Sequence, residues 1–362
     1  MRRRLEAMPE TLSLDAVSVL LVWTAIAVYA LAFIAYAVDL SRRGEAAVEA
    51  KDAAQVRARE LVGAGGAASG ISVDQAVRRA EEDAADAAVE APLGSRPRYV
   101  WARIGTSLTV LAFLFHLGGT VTRGIAAGRV PWSNMYEFAL TGTLLIVAVY
   151  LVVLLRYDLR FLGAFITGLV TLLLGGAATP AIYVEVTPLA DPLKSVWLVI
   201  HVFVASLATA LFALAFALSV LQLMQARREA RLQASAKVVV SEVVAQPKTG
   251  ARFLRTLPTA DKLESLAYRF AILGFIFWTF TLIAGSIWAN DAWGRYWGFD
   301  TKEVWTFVVW VLYAGYIHAR ATRGWRGSRS AWLSIIGFTA VMFNFTIVNM
   351  FFKGLHVYSG LS

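Results

Sequence analysis

Residues 196–224 read VWLVIHVFVASLATALFALAFALSVLQLM, with no Asp, Glu, Lys or Arg. At 1.5 Å rise per residue, such a run forms a helix long enough to cross a hydrocarbon core of about 30 Å. Comparable runs occupy 14–38, 100–122, 137–155, 161–178, 266–288, 304–319 and 331–352. The expected fold is therefore all-α, a polytopic integral membrane protein with about eight transmembrane helices. Composition agrees: 58% of the 362 residues are hydrophobic and 16% are charged, against roughly 25% charged in soluble domains. The first run is too long for a signal-peptide core and is followed by Arg42 and Arg43. An uncleaved helix is expected there, although residues 1–4 resemble a signal n-region.

Lys and Arg concentrate in 39–99, 156–160, 225–265 and 320–330. The positive-inside rule places these segments in the cytoplasm and both termini outside, with Arg2, Arg3 and Arg4 pulling the other way. The chain then divides into an extra N-terminal helix (1–40), a charged cytoplasmic linker (41–99) and a first membrane half (100–224). A second linker (225–265) and a second membrane half (266–362) follow. Residues 41–97, rich in Ala, Glu, Asp and Arg and broken by Gly63, Gly65 and Gly66, read as a partly helical, solvated linker. The net charge of +9 is assigned to topology and to attraction toward anionic lipid. With no compact basic domain, nucleic acid is not an expected partner. The outer loops, 122–136, 179–195, 289–303 and 353–362, are short, aromatic and rich in turn residues, so function is sought there.

The chain has no cysteine and four histidines. It can form no disulfide, thioether link to haem, iron–sulfur cluster or Cys-based zinc site, and its four histidines are its imidazole ligands for a metal. Trp288, Trp293, Trp297, Trp305 and Trp310 cluster within one short stretch. An interfacial aromatic belt is one explanation. The other is a shelf for a flat, apolar ligand, since a helical turn would put Trp293 and Trp297 on one face with Tyr296 between them. Asp300 and Glu303 fit the N-cap and N3 positions of a capping box, a role compatible with fixing the loop. Asn134 and Glu137 repeat the device in PWSNMYEF.

His201 lies about 8 Å below the outer end of its helix, and His356 falls just beyond the last span. Both reach the aromatic loop, and a lone intramembrane histidine is costly without a partner. Two neutral imidazoles over tryptophan faces would make an axial pair for a haem iron. His318 lies roughly 21 Å down, with no second histidine at its depth. Its opposing ligand would come from another subunit, a different side chain or a shifted helix boundary. His116 reads either as a ligand or as a buried histidine bonded to a backbone carbonyl. Arg295 and Lys302, with Arg129 and Lys353 behind them, could pair with propionates or with lipid headgroups. Asn344 and Asn349 could bond between helices, and no chemistry is assigned to them.

The run WANDAWGRYWGFDTKEVW (288–305) resembles the tryptophan-rich "WWD" signature of haem-handling membrane proteins. Together with PWSNMYEF, WLVIHVFVASLA and VNMFFKGLHVYSG it is similar to the CcsA/ResC family, also called CcsB, of System II cytochrome c biogenesis. These stretches span most of 100–360, whereas residues 1–97 carry nothing diagnostic. Phe299 stands where the family usually has Trp, keeping a stacking face but losing an N–H donor, and Thr301 replaces a common Pro. The resemblance implies that b-type haem, held non-covalently as substrate, is presented to the CxxCH motif of apocytochrome c. It implies His201 and His356 as outer haem ligands, His318 as an intramembrane one, and Trp297 and Asp300 beside the outer pair in the catalytic set. Trp288, Trp293, Arg295, Tyr296, Phe299, Lys302 and Trp305 would join Trp297 in binding the haem. It further implies a haem lyase subunit of the bacterial plasma membrane, a ResB/Ccs1-type partner, and a thioredoxin-like reductant acting on the apocytochrome. Two alternatives remain open. One is a CcmC-like haem chaperone; the other is a cytochrome b-like electron carrier, which usually places two histidines on one helix.

Overall fold

The computed structural model describes residues 13–63, 73–189, 191–238, 252–322, 324–352 and 354–355. Among these, the regular structure is entirely helical. Its helices are α1 (Leu14–Gly63), α2 (Val73–Val89), α3 (Val100–Ala127), α4 (Met135–Arg156), α5 (Gly163–Ala177), α6 (Val196–Val238), α7 (Ala260–Trp293), α8 (Thr301–Ala321) and α9 (Ser328–Phe343). A π-turn (Asn344–Val348) and a last short turn (Asn349–Phe351) extend α9.

Seven of the described helices are long and apolar enough to cross a membrane, and the chain is a multi-pass membrane protein. The eighth expected span, α8, has 21 residues and is not among those seven. It nevertheless traverses the bundle. Its start is held at the tryptophan loop, while Arg320 near its end pairs with Glu264 near the start of α7. Ser13 and Leu355 consequently lie at the same end of the bundle, as an even number of crossings requires.

The helices pack by small-against-large contacts, the usual device where water supplies no driving force between them. A Cβ on Gly163 would come within 2.5 Å of the Tyr36 ring, and one on Gly105 within 2.9 Å, so α1 nests against both α3 and α5. Across the core, Phe212 of α6 stacks on Tyr313 of α8 at 3.6 Å.

The linker expected over 41–97 is more structured than a solvated tether. Helix α1 continues to Gly63, and α2 docks on the start of α7. The Asp86 carboxylate accepts from both the N–H and the hydroxyl of Thr259 at 2.8 Å, and Lys262 donates to Glu90. That lysine holds the Glu90 carboxyl below its usual range. Hydrogen bonds to a charged group contribute about 1.5–3 kcal/mol. Asp86→Ala is therefore expected to lower the thermal unfolding midpoint of the detergent-purified chain, whereas exposed Asp83→Ala leaves it unchanged.

Candidate functional site

Helix α7 ends where its glycine dictates. Gly294 takes the left-handed conformation (φ 68°) and its N–H caps the Asn290 carbonyl, as a residue without Cβ does at low cost. The expected helical turn carrying Trp293 and Trp297 on one face is thus overturned: residues 294–300 are not helical. The two rings part company. Trp293 packs edge-on against Trp288 at 4.9 Å, while Trp297 turns toward Phe299 and Phe307. The aromatic residues therefore form two groups. Trp288 is buried in a cluster with Trp132, Leu198 and Val202, whereas Tyr296, Trp297 and Phe299 remain open, Phe299 at 80% exposure. Trp305 packs on Phe343 of α9, away from the loop.

Glu303 shapes the loop. Its Oε2 accepts from the N–H of Gly298 at 2.8 Å and of Asp300 at 3.1 Å, clamping the backbone on both sides of Phe299. That residue sits at φ 56°, a conformation an aromatic residue holds only when its surroundings over-determine it. The expected Asp300/Glu303 capping box is present. Asp300 does more: its Oδ1 accepts from the Leu355 N–H at 3.0 Å, so the described chain ends against the loop. His356 and Lys353 lie outside the described residues. Arg295, expected to meet a ligand anion, donates to Glu303 at 3.3 Å.

His201 is the best-positioned ligand candidate. Its Nδ1 lies 2.9 Å from the Thr281 carbonyl, so Nδ1 carries the proton and the ring lone pair sits on Nε2. The ring stacks on Trp288 at 5.9 Å with 19° between planes. Space for it exists because residue 285 is glycine: a Cβ there would meet His201 Cε1 at 2.7 Å. No sequence signal marked that contact.

Two hollows meet at His201. A cleft among α4, α6, α7, α8 and the α9 extension holds about 1230 Å³ of unfilled space, open solvent at its mouth included. A smaller hollow of about 480 Å³ opens toward Tyr296 and Trp297. His201, Trp288, Lys302 and Thr306 border both. Ligand pockets are mostly apolar with few, well-placed polar groups. The cleft, lined by Phe138, Trp278 and Phe345 among other apolar side chains, suits a flat apolar ligand approached by one imidazole.

The other histidines are placed differently. His116 is fully buried, its Nε2 2.9 Å from the Leu140 carbonyl and its Nδ1 3.4 Å from the Tyr29 hydroxyl, so both nitrogens are engaged within the protein. His318 is exposed near the end of α8, on a stripe with Val304, Phe307, Val311 and Gly315.

Arg129, expected as a propionate partner, instead pairs with Glu137 at 2.6 Å. The fully buried Arg123 bonds the same carboxylate at 3.0 Å and Asp15 at 2.7 Å. The hydroxyl of Tyr183 donates to Asp15; burial, with that carboxylate beside it, pushes the phenol up to about 12. Asn134 caps α4 as expected, accepting from the Glu137 N–H. This network joins α1, α3 and α4 beneath the loops.

Comparison with known proteins adds a separate finding. Residues 132–356 match a family described as "Cytochrome C assembly protein". The chain is 33% identical over 265 residues to a cytochrome c biogenesis protein CcsA of Guillardia theta, covering 72% of this chain and 86% of that protein. It is 34% identical over 292 residues to the CcsA of Synechococcus sp. (strain JA-3-3Ab), covering 70% and 83%. The CcsA of Synechococcus elongatus is 32% identical over 282 residues, covering 70% and 87%. The matched region takes in both hollows, His201 and the tryptophan loop.

Proposed function

The chain belongs to the cytochrome c assembly protein family, and from that premise we propose that it receives haem and presents it for covalent attachment to apocytochrome c. The observation that carries this reading is His201: an imidazole oriented by a backbone carbonyl, backed by a parallel tryptophan, at the junction of an apolar cleft and an open aromatic loop. A hydrogen bond from Nδ1–H to a carbonyl fixes the tautomer and raises the basicity of Nε2, the nitrogen that would ligate haem iron. His356 supplies the second outer ligand in this reading. Asp300, bonded to the preceding residue Leu355, is a positioning residue for it.

Haem here is substrate. Each cysteine thiol of the CxxCH motif adds across a vinyl C=C, the sulfur bonding carbon and the thiol proton ending on the neighbouring carbon. That addition balances without an added oxidant and draws both thiols from the apocytochrome, so a catalyst with no cysteine is sufficient. This chain contributes position: His201 at the iron, and Trp288, Trp297, Tyr296 and Phe299 around the ring. The exposed stripe of α8 ending in His318 supports a ResB/Ccs1-type partner at that face in the bacterial plasma membrane. A thioredoxin-like protein would keep the apocytochrome thiols reduced, and the loop would face outward.

The test is co-expression of the chain with a ResB/Ccs1-type partner and an apocytochrome, scored by covalently bound haem on denaturing gels and by absorption of the purified complex. Product is expected with the natural chain. His201→Ala should remove it and diminish the haem spectrum. Haem bound as before but no covalent product from the natural chain would favour the chaperone alternative.

A further inference from the structure

Of the charged side chains among the described residues, Lys302 alone lines the large cleft. Its ammonium does not reach outward past the loop. It donates to the side-chain oxygen of Asn349, a neutral partner. A cation buried in a mostly apolar cleft, hydrogen-bonded to an amide and with Asp300 as the nearby acidic group, is an expensive arrangement, and intramembrane charges of this kind mark ligand sites. An ammonium carries three donors, so Asn349 leaves capacity for an incoming acceptor.

A second observation points to the same place. Asn344 is 4% exposed and borders the cleft. Its amide N–H donates to Thr306 at 3.3 Å, while its Oδ1 has no protein partner. The π-turn carries both Asn344 and Asn349 onto the lining of the cleft. In an α-helix, residues five apart point about 140° from one another; closing i→i+5 bonds swings them toward a common side. The irregular turn thus adds two amides and, through Asn349, the lysine to the lining of a mostly apolar space.

We propose that this cleft seats an amphiphilic carboxylate, its carboxyl group against Lys302 and Asn344 and its apolar body along Phe138, Trp278 and Phe345. A carboxylate accepts from the ammonium; in its protonated form it also donates to Asn344 Oδ1. Building on the haem reading, the group is a haem propionate, held inside the bundle on the His201 side rather than at the surface by Arg295. The site deepens that reading and is separable from it.

The test uses the purified full chain in nanodiscs, with binding followed by quenching of its tryptophan fluorescence. The probes are metal-free protoporphyrin IX, its dimethyl ester, and oleate. Protoporphyrin IX is expected to bind at least about tenfold more tightly than the ester, the scale of a charge-assisted hydrogen bond. Lys302→Met should abolish that preference and Lys302→Arg restore most of it. Unchanged unfolding midpoints would establish that both variants fold. A preference undiminished in Lys302→Met overturns the anion site while leaving the haem reading intact. Oleate binding that depends on Lys302, with no porphyrin bound, supports the carboxylate site and removes haem as its ligand. Binding of none of the probes overturns the proposal.

Discussion

Gly285→Ala is expected to reduce covalent haem attachment by about a hundredfold or more, while leaving the protein folded. The added methyl would sit 2.7 Å from His201 Cε1 and 2.8 Å from Nδ1, so the ring must move away from the Thr281 carbonyl that orients it. Misplacing a reacting group by about 1 Å can cost roughly 10²-fold. Stability should change little, because alanine has the better helix propensity by about 1 kcal/mol and the imidazole can shift toward the open hollow. Gly176→Ala, whose Cβ meets nothing within 4 Å, is the matched control and should retain full attachment. The measurement is the yield of matured cytochrome c per unit of chain in the membrane. Full yield from Gly285→Ala would show that the orientation of His201 is not needed.

The second large effect concerns stability. Glu137 and Arg123 have completely buried side chains, and Arg129 is nearly so. Glu137→Ala removes the carboxylate shared by two guanidiniums and leaves Arg123 with Asp15 as its remaining acidic partner. Breaking a buried pair on one side typically costs about 3–5 kcal/mol, since the stranded charge has lost its water as well as its partner. The same change strips the acceptor from the N–H and hydroxyl of Ser133. A marked fall in the unfolding midpoint of the detergent-purified protein, with low accumulation in membranes, is the expected result. Arg129→Ala should cost less, because its removal leaves Glu137 still paired with Arg123. Equal midpoints for Glu137→Ala and the natural chain would mean that water replaces the carboxylate around Arg123.

Much of this architecture was readable from hydropathy. Each of the eight apolar runs became a helix, and even α8, less apolar than the rest, crosses the bundle. The capping residues were readable too, since Asp300 and Glu303 act over one helical turn and need no distant partner. Less was readable of the site. Trp293 and Trp297 have helical spacing, yet Gly294 stops the helix between them, and the backbone clamp by Glu303 sends the second ring to a different group. Lys302 follows a loop expected at the surface, but its position at the start of α8 turns the ammonium into the cleft. Residues 73–89 read as tether by composition and are docked by Asp86 on Thr259, a partner 173 residues away.

From the residues alone followed the class of protein, the apolar runs that became helices, the absence of thiol chemistry and the segment where tryptophans gather. Those properties are local: the free energy of moving a side chain into an apolar medium depends on that side chain and its near neighbours. Folding in three dimensions settled the rest: that Gly285 makes room for His201, that Arg123 meets Asp15 across 108 positions, and that Lys302 meets Asn349 across 47. Such pairings depend on how each helix is rotated about its axis and where its ends stop. Ridge-and-groove packing among all the helices fixes those quantities together, and no single stretch of chain contains them.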